Sequence, residues 1–134
     1  MMKIFIKLLC INLIILSFSC SRTDGVFAVK RFTDGSYRKV GSHFDIDSKE
    51  EVHWSVIFRK ANKRRDLGIV VQAKGISWAD VLNEVDYIDI DKPAIHGIFS
   101  DFPSGDYRIM IFDLKNNKIM LTQEFLVYED EDEF

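Results

Sequence analysis

Apolar and polar side chains alternate along the last third of the chain, and turn signals separate the alternating segments. Residues 106–113 place Tyr107, Ile109 and Ile111 on one side of an extended chain, because successive side chains of a strand point to opposite faces. A Pro-Ser-Gly turn precedes this segment, since Pro fixes φ and Gly permits positive φ. The pattern predicts a buried strand that begins directly after a turn.

A second turn signal, Lys-Asn-Asn-Lys at residues 115–118, predicts a tight hairpin into a last strand, because Asn tolerates the left-handed conformation. In that last strand Ile119, Leu121, Phe125 and Val127 are expected on one face, interrupted by Gln123. These segments are predicted to form two adjacent antiparallel strands.

The rest of the chain is also mostly extended in pattern. The clearest core strand is 52–58, where apolar residues recur at every second position, and its predicted partner is 67–73. Residues 78–84 follow Ser77 as a potential N-cap and predict a short helix that connects the sheets. Further strands are predicted at 26–32, 37–46, 85–90 and 94–100. About seven or eight strands are typical of a single all-β, two-sheet antiparallel sandwich.

The turn that leads through Gly105-Asp106-Tyr107 into a penultimate strand, with a hairpin into a last strand ending Phe-Leu-Val, resembles strands F and G of immunoglobulin-like and fibronectin type III-like sandwiches. In those folds a Tyr at this point hydrogen-bonds to upstream backbone, and Tyr107 is the matching residue. The alternative is that Tyr107 is simply a core aromatic beside a turn. The Cys and Trp pattern of antibody domains is absent.

The first 19 residues have the pattern of an export signal. Lys3 and Lys7 precede an apolar run of about 11 residues, which is short against the roughly 20 that a membrane-spanning helix needs. The run ends in Leu-Ser-Phe-Ser-Cys, which resembles a relaxed bacterial lipobox and implies lipid attachment at Cys20. The alternative is an ordinary secretory signal, which would leave the exported protein unanchored.

This interpretation divides the chain into a lipoprotein signal peptide (1–19), a lipidated Cys with its tether (20–25), the sandwich (26–128) and an acidic C-terminal tail (129–134). Both cysteines, Cys10 and Cys20, lie in the leader region. After processing, the domain would therefore have no free thiol for a disulfide, a metal or catalysis.

Charge argues against broad nucleic-acid binding, since loss of Lys3 and Lys7 would change the formal net charge from -3 to -5. One predicted hairpin is nevertheless basic, and it contains Arg59, Lys60, Lys63, Arg64 and Arg65. This cluster is either a solvated loop or an anionic docking site for lipid headgroups or an acidic partner. The acidic run at the C-terminus is expected to be a solubilising terminus.

Candidate catalytic and metal-binding residues do not form a convincing set. His43, Asp45 and Asp47 alternate on a predicted strand, where neighbours about 6.6 Å apart do not converge on one ion. His53 and Ser55 share a face without the motif of a nucleophile elbow. Neither an enzyme nor a bound metal or cofactor is predicted.

The most unusual feature is apolar side chains on the face of the C-terminal strands that should point away from the core. We expect this outer face to contain Val70, Met110, Phe112, Met120 and Leu126. Exposed apolar patches of this kind mark interfaces, although the helix, the N-terminal segment or the acidic tail could also cover them.

The sequence therefore predicts a lipid-anchored protein of the bacterial cell envelope that acts as a non-catalytic protein-binding or assembly module. Its membrane contact would be the lipid at Cys20, and a protein of unknown identity would be its partner. The first alternative is a small-ligand or substrate-binding lipoprotein, which requires an open cleft between the sheets. The second alternative is a metal-dependent enzyme.

Overall fold

The computed structural model describes residues 25–31 and 35–130, and within these ranges the chain is built from strands, with no helix. The leader, the lipobox, Cys20 and most of the tether lie outside the described residues, as does the end of the acidic tail. None of the described segments is a helix that could cross a bilayer. The strands are β1 (Gly25–Arg31), β2 (Arg38–Lys39), β3 (His43–Asp47), β4 (Val52–Phe58), β5 (Arg65–Lys74), β6 (Trp78–Ile88), β7 (Ala94–Phe99), β8 (Gly105–Asp113) and β9 (Lys118–Tyr128).

The strands form two sheets that pack as a sandwich, which confirms the predicted all-β class. The four-stranded sheet has the order β2-β1-β4-β7, and the five-stranded sheet has the order β3-β9-β8-β5-β6. The sandwich is not wholly antiparallel, since β3 pairs with β9 in parallel. The N-terminal part of the chain thus contributes β1 to one sheet and β3 to the other.

The predicted pairing of strand 52–58 with strand 67–73 is wrong. β4 lies between β1 and β7, whereas β5 lies in the other sheet between β6 and β8. Both strands bury apolar side chains on one face. The alternation of apolar residues is therefore the same whether β4 and β5 pair with each other or lie in different sheets. The basic segment between them is therefore a crossover between sheets and not a hairpin.

The predicted helix at 78–84 is also wrong, because these residues begin β6. Gly75 donates its N–H to the carbonyl of Ser77 at 3.0 Å, and this tight turn leads directly back along β5. β6 then pairs with β5 from Trp78 to Ile88, with one irregularity beside Val71. Cross-strand pairing overrides the moderate helical propensity of the Ala, Leu and Glu residues in this segment.

Aromatic rings form the centre of the core. Phe99 and Phe125, from opposite sheets, stack with ring centroids 4.5 Å apart. Phe44 also stacks on Phe125, at 5.5 Å, and Trp54 stacks on Phe99, at 6.0 Å. Branched aliphatic residues fill the remaining space at 0–2% exposure, including Val52, Val56, Leu67, Ile69, Ile95, Ile109 and Ile111. Burial of this area supplies the main stabilisation of a domain without cysteine.

The predicted turns around β8 are confirmed. The hydroxyl of Tyr107 donates to the carbonyl oxygen of Pro103 at 2.6 Å, which is the upstream backbone contact expected of this residue. Gly105 has a φ of 151°, and Asn117 in the hairpin after β8 has a φ of 54°. Both turns therefore use residues that tolerate positive φ.

Candidate functional site

The outer face of the five-stranded sheet carries a continuous apolar row across four strands. Val85 of β6 pairs with Gly68 of β5, Gly68 pairs with Phe112 of β8, and Phe112 pairs with Ile119 of β9. Side chains at paired positions lie on the same face of a sheet. We call these four residues the apolar row.

Beside the apolar row, Val70 and Met110 occupy the next pair of positions on β5 and β8. Val70 is half-buried, whereas Met110 is 7% exposed, although it lies on the outer side of the sheet and outside the core cluster. Phe112 is half-buried as well. The structure thus brings together three of the predicted residues, with Met110 largely covered by its neighbours.

Met120, also predicted on the outer face, points into the core instead. The register of β8 and β9 shifts by one residue, since Ile111 pairs with Leu121 but Phe112 pairs with Ile119. Met120 is the extra residue of this β-bulge, and at 8% exposure it joins the core cluster. Ile119 takes the outer position and is 52% exposed, which also corrects its predicted core orientation.

Leu126 is half-buried on the outer side, but it is separated from the apolar row by a polar zone. Its partners across the strands are Asp106 and Asp45. Between Leu126 and the apolar row lies a pair of charged residues, Arg108 and Glu124. Leu126 is therefore not part of the same patch.

The polar zone is held in place by its own network. The guanidinium of Arg108 donates to Gln72 at 2.7 Å, and the amide of Gln72 donates to Asp80 at 2.7 Å. The same guanidinium lies 4.2 Å from the ring centre of Trp78, a favourable cation–π distance. The outer face thus has an apolar half and a rigid polar half.

Two residues of the apolar half were missed by the sequence reasoning. For Val85, which is 70% exposed, the sequence pattern predicts only a short strand and not the pairing of that strand with β5. Leu114, in the turn after β8, folds over Gly68, since a Cβ added at Gly68 would meet Leu114 Cδ2 at 3.1 Å. The sequence pattern could have indicated Val85 more easily than Leu114, because outward residues 83, 85 and 87 alternate with inward ones.

The outer face of the four-stranded sheet offers a comparison. Ile57 and Ile98 are exposed there, at 45% and 47%. They lie in different cross-strand rows, separated by the row that contains Ser55 and His96. The ring of Tyr37 lies 6.0 Å from that of His96, so the middle of this face is covered. Its exposed apolar residues are isolated from one another.

The basic residues of the β4–β5 crossover lie at one end of the sandwich and border an open cleft. Lys63, Arg64 and Arg65 line it from one side and Lys115 from the other, around a volume of about 740 Å³. Arg64 bonds to Asp66 at 3.3 Å and lies 4.3 Å from the ring centre of Tyr87. The cleft is charged and open, and it lies outside the space between the sheets, which side chains fill.

Acidic and histidine residues remain dispersed. Over residues 25–31 and 35–130, the structure shows no group of three or more His, Asp, Glu or Cys that could hold a metal. His43 and Asp45 are 3.6 Å apart on the exposed side of edge strand β3, as their alternation predicts. The hydroxyl of Ser55 is buried with no hydrogen-bond partner among the described residues, so it is closed off from any substrate in solution.

Comparison with known proteins extends only to the fold. No protein-family model matches the chain, and no curated protein sequence is similar to it. The chain is similar to the crystal structure of an immunoglobulin-like protein from Pseudomonas aeruginosa, with a TM-score of 0.54 and 14% sequence identity. The match covers 80% of this chain and 95% of that one. The fold is therefore immunoglobulin-like, as the residues around Tyr107 suggest.

Proposed function

We propose that the protein is a lipid-anchored module of the bacterial cell envelope that binds another protein without catalysing a reaction. The lipid is attached at Cys20, and the partner binds the apolar half of the outer face of the five-stranded sheet. The observation that carries this proposal is the apolar row, because it is continuous across four strands.

The row is suited to a protein partner because its apolar side chains are exposed and because a polar zone lies beside it. Val85, Ile119 and Leu114 are exposed at 70%, 52% and 42%, and they surround the half-buried Phe112. An antiparallel sheet with one face in water normally places polar residues there. A contiguous apolar centre beside a polar zone is the usual anatomy of an interface. The polar zone of Gln72, Asp80 and Arg108 would lie at the rim.

The interface is tested by comparing two substitutions of isoleucines with similar exposure. Ile119→Asp places a charge in the apolar row, whereas Ile98→Asp places one on the four-stranded sheet, where exposure is 47% against 52%. Partner capture from membranes, with the anchored protein as bait, should fall at least about tenfold for Ile119→Asp, because burying an unpaired charge costs several kcal/mol. Capture should be unchanged for Ile98→Asp.

Equal recovery by both variants would refute the interface. A second copy of the chain as occupant would appear as a concentration-dependent dimer that Ile119→Asp dissociates and Ile98→Asp does not. That result would replace the heterologous partner with self-association.

The anchor has an independent test. Mass spectrometry of protein isolated from membranes should find the chain beginning at a Cys20 that carries fatty acyl groups. Cys20→Ser should move the protein from the membrane fraction to the soluble fraction. Recovery of an unmodified Cys20, or of an intact leader, would contradict the anchor.

A further inference from the structure

The N-terminal end of β1 lies at the same end of the sandwich as the basic β4–β5 crossover. Gly25 pairs with Phe58, the last residue of β4. The β6–β7 connection is also at this end, since Phe58 donates its N–H to Pro93 O at 2.8 Å. The β8–β9 turn joins them through Leu114 N–H and Asp66 O, 3.1 Å apart. We call these three connections, with their flanking residues 58–66, 86–93 and 113–118, the basic end.

Positive charge predominates at the basic end, although the whole chain has a formal net charge of -3. Its eight basic residues are Arg59, Lys60, Lys63, Arg64, Arg65, Lys92, Lys115 and Lys118, and its five acidic residues are Asp66, Asp86, Asp89, Asp91 and Asp113. The opposite end bears the acidic residues Glu129 and Asp130 after β9. The sandwich is therefore electrically polarised along its long axis.

Most of the cations at the basic end are available to a ligand. Asp66 bonds to Arg64, and Asp86 bonds to Lys92 at 2.8 Å. Arg59, Lys60, Lys63, Lys115 and Lys118 are all exposed, and among the described residues none of the five has an ion-pair partner. Free ammonium and guanidinium groups on two neighbouring connections focus a positive potential outward.

The proposed lipid attachment lies within reach of this end alone. Five residue steps separate Cys20 from Gly25, so the tether spans at most about 18 Å when fully extended. Strand β8 has nine residues, which places the two ends of the sandwich about 30 Å apart. An anchor at Cys20 would hold the basic end, and not the acidic end, against the bilayer.

We propose that the basic end is a headgroup-contact surface that sits on anionic phospholipids and orients the anchored domain upright. The inference rests on the proposed attachment at Cys20. Each Lys or Arg near an anionic bilayer adds to the attraction, so five free cations at one end suffice to select one orientation of a tethered domain. Ile90, exposed at 67%, is an apolar residue of the same end that would meet the interfacial layer.

The lipid surface is a better occupant of the basic end than an acidic protein, because the anchor would hold this end against the bilayer. The protein partner has a different surface, since the apolar row runs across the strands on the side of the domain. With the basic end on the bilayer, the apolar half of the outer face stands beside the membrane, open to a partner. One surface then serves orientation and the other serves recognition.

The test uses the chain from Cys20 onward, which retains all the described strands and the whole core. Its single thiol, Cys20, is coupled to maleimide-bearing lipid in vesicles of phosphatidylcholine alone or mixed with phosphatidylglycerol. Lysine acetylation is then mapped by mass spectrometry. On the anionic vesicles, acetylation of Lys60, Lys63, Lys115 and Lys118 should slow at least about threefold, since charge contact holds these residues against the headgroups. Lys39, Lys49 and Lys74, on other parts of the domain, should react equally on both vesicles.

A charge-matched pair of variants supplies the control. The triple variant Lys60→Glu, Lys63→Glu, Lys115→Glu should lose the protection of the remaining Lys118. The variant Lys39→Glu, Lys49→Glu, Lys74→Glu has the same net charge and should keep it. High salt should remove the protection in the unmodified chain, because exposed charges are screened.

Equal acetylation on neutral and anionic vesicles, or equal loss of protection in both variants, would overturn the proposal. Protection that appears only when the captured protein partner is added would also overturn it, since the basic end would then belong to a protein interface. Because the coupling to lipid is chemical, these results are independent of whether the cell attaches a lipid to Cys20.

Discussion

The indole ring of Trp54 lies directly against the backbone of Gly97, its cross-strand neighbour on β7. A Cβ added at Gly97 would fall far inside van der Waals contact of three indole atoms. The indole is thereby held in the aromatic core, stacked 6.1 Å from Phe27 and 6.0 Å from Phe99. A missing side chain on one strand thus makes room for the largest side chain on the next.

Gly97→Ala should destabilise the domain by about 2 kcal/mol, because the indole must leave its position or the strands must separate. Chemical denaturation followed by tryptophan fluorescence measures the change. Gly41→Ala is the matched control, since a Cβ there meets nothing within 4 Å and should change stability by less than about 0.5 kcal/mol. An equal effect of both substitutions would contradict the packing described.

The bulge in β9 predicts opposite effects at adjacent residues. Met120→Ala should cost about 2–3 kcal/mol, because the side chain fills the core, whereas Ile119→Ala should cost less than about 0.5 kcal/mol. Urea denaturation of the two variants decides between the bulged strand and a regular one. A regular strand, with Ile119 inside and Met120 outside, would reverse the order.

The hydroxyl of Tyr107 should contribute measurably to stability through its bond to Pro103 O. Tyr107→Phe removes the donor but keeps the ring, which lies 5.4 Å from Phe125 and 5.1 Å from Phe102. The expected loss is about 1 kcal/mol of unfolding free energy. Tyr128→Phe, at an exposed position, should leave the free energy of unfolding unchanged.

The same hydroxyl predicts a pH dependence at the alkaline end. Burial raises the pKa of Tyr107 above its ordinary value of 10.0. A raised pKa means that folding favours the neutral phenol, so this contribution is fully present below about pH 10 and is lost as the pH rises through the folded pKa. The difference in Tm between the unmodified chain and Tyr107→Phe should therefore narrow from pH 8 to pH 11. A constant or widening difference would contradict the assignment.

The buried hydroxyl of Ser55 should be a source of instability. It is 1% exposed and has no hydrogen-bond partner within the described part of the chain. Ser55→Ala removes an unsatisfied polar group and should stabilise the domain by about 1 kcal/mol, seen as a higher Tm. Ser42→Ala, at an exposed position, should have no effect. A lower Tm for Ser55→Ala would show that the hydroxyl is bonded after all.

Local patterns in the sequence were sufficient to predict what depends on local geometry. The period of two predicted the core strand β4, and turn chemistry predicted the β8–β9 hairpin. The contact of Tyr107 was expected from the resemblance to immunoglobulin-like sandwiches. The neighbours of strands that are not joined by a tight hairpin were not predictable in this way. β4 and β5 both alternate, and only the packing of the two sheets decides that they belong to different sheets.

The errors at the candidate site have the same origin. A one-residue bulge at Met120 reverses the side-chain orientation over a short segment, and no residue type there marks it. The strand formed by Trp78 to Ile88 owes its conformation to pairing with β5, so a helix-forming composition misled the prediction. Because of these two features, the positions of Val85 and Ile119 on the outer face were not predicted.

The register of β1 has a mechanical consequence. If the chain is held at Cys20 while a partner pulls on the five-stranded sheet, tension enters at Gly25 and runs along the strand. Gly25 to Arg31 pair with Phe58 to Val52 at seven successive positions, so the load acts parallel to the strand and is shared by the whole ladder. Hydrogen bonds loaded together in shear resist force better than bonds that open one after another. With the proposed anchor at Cys20, β1 would be the strand that bears this load.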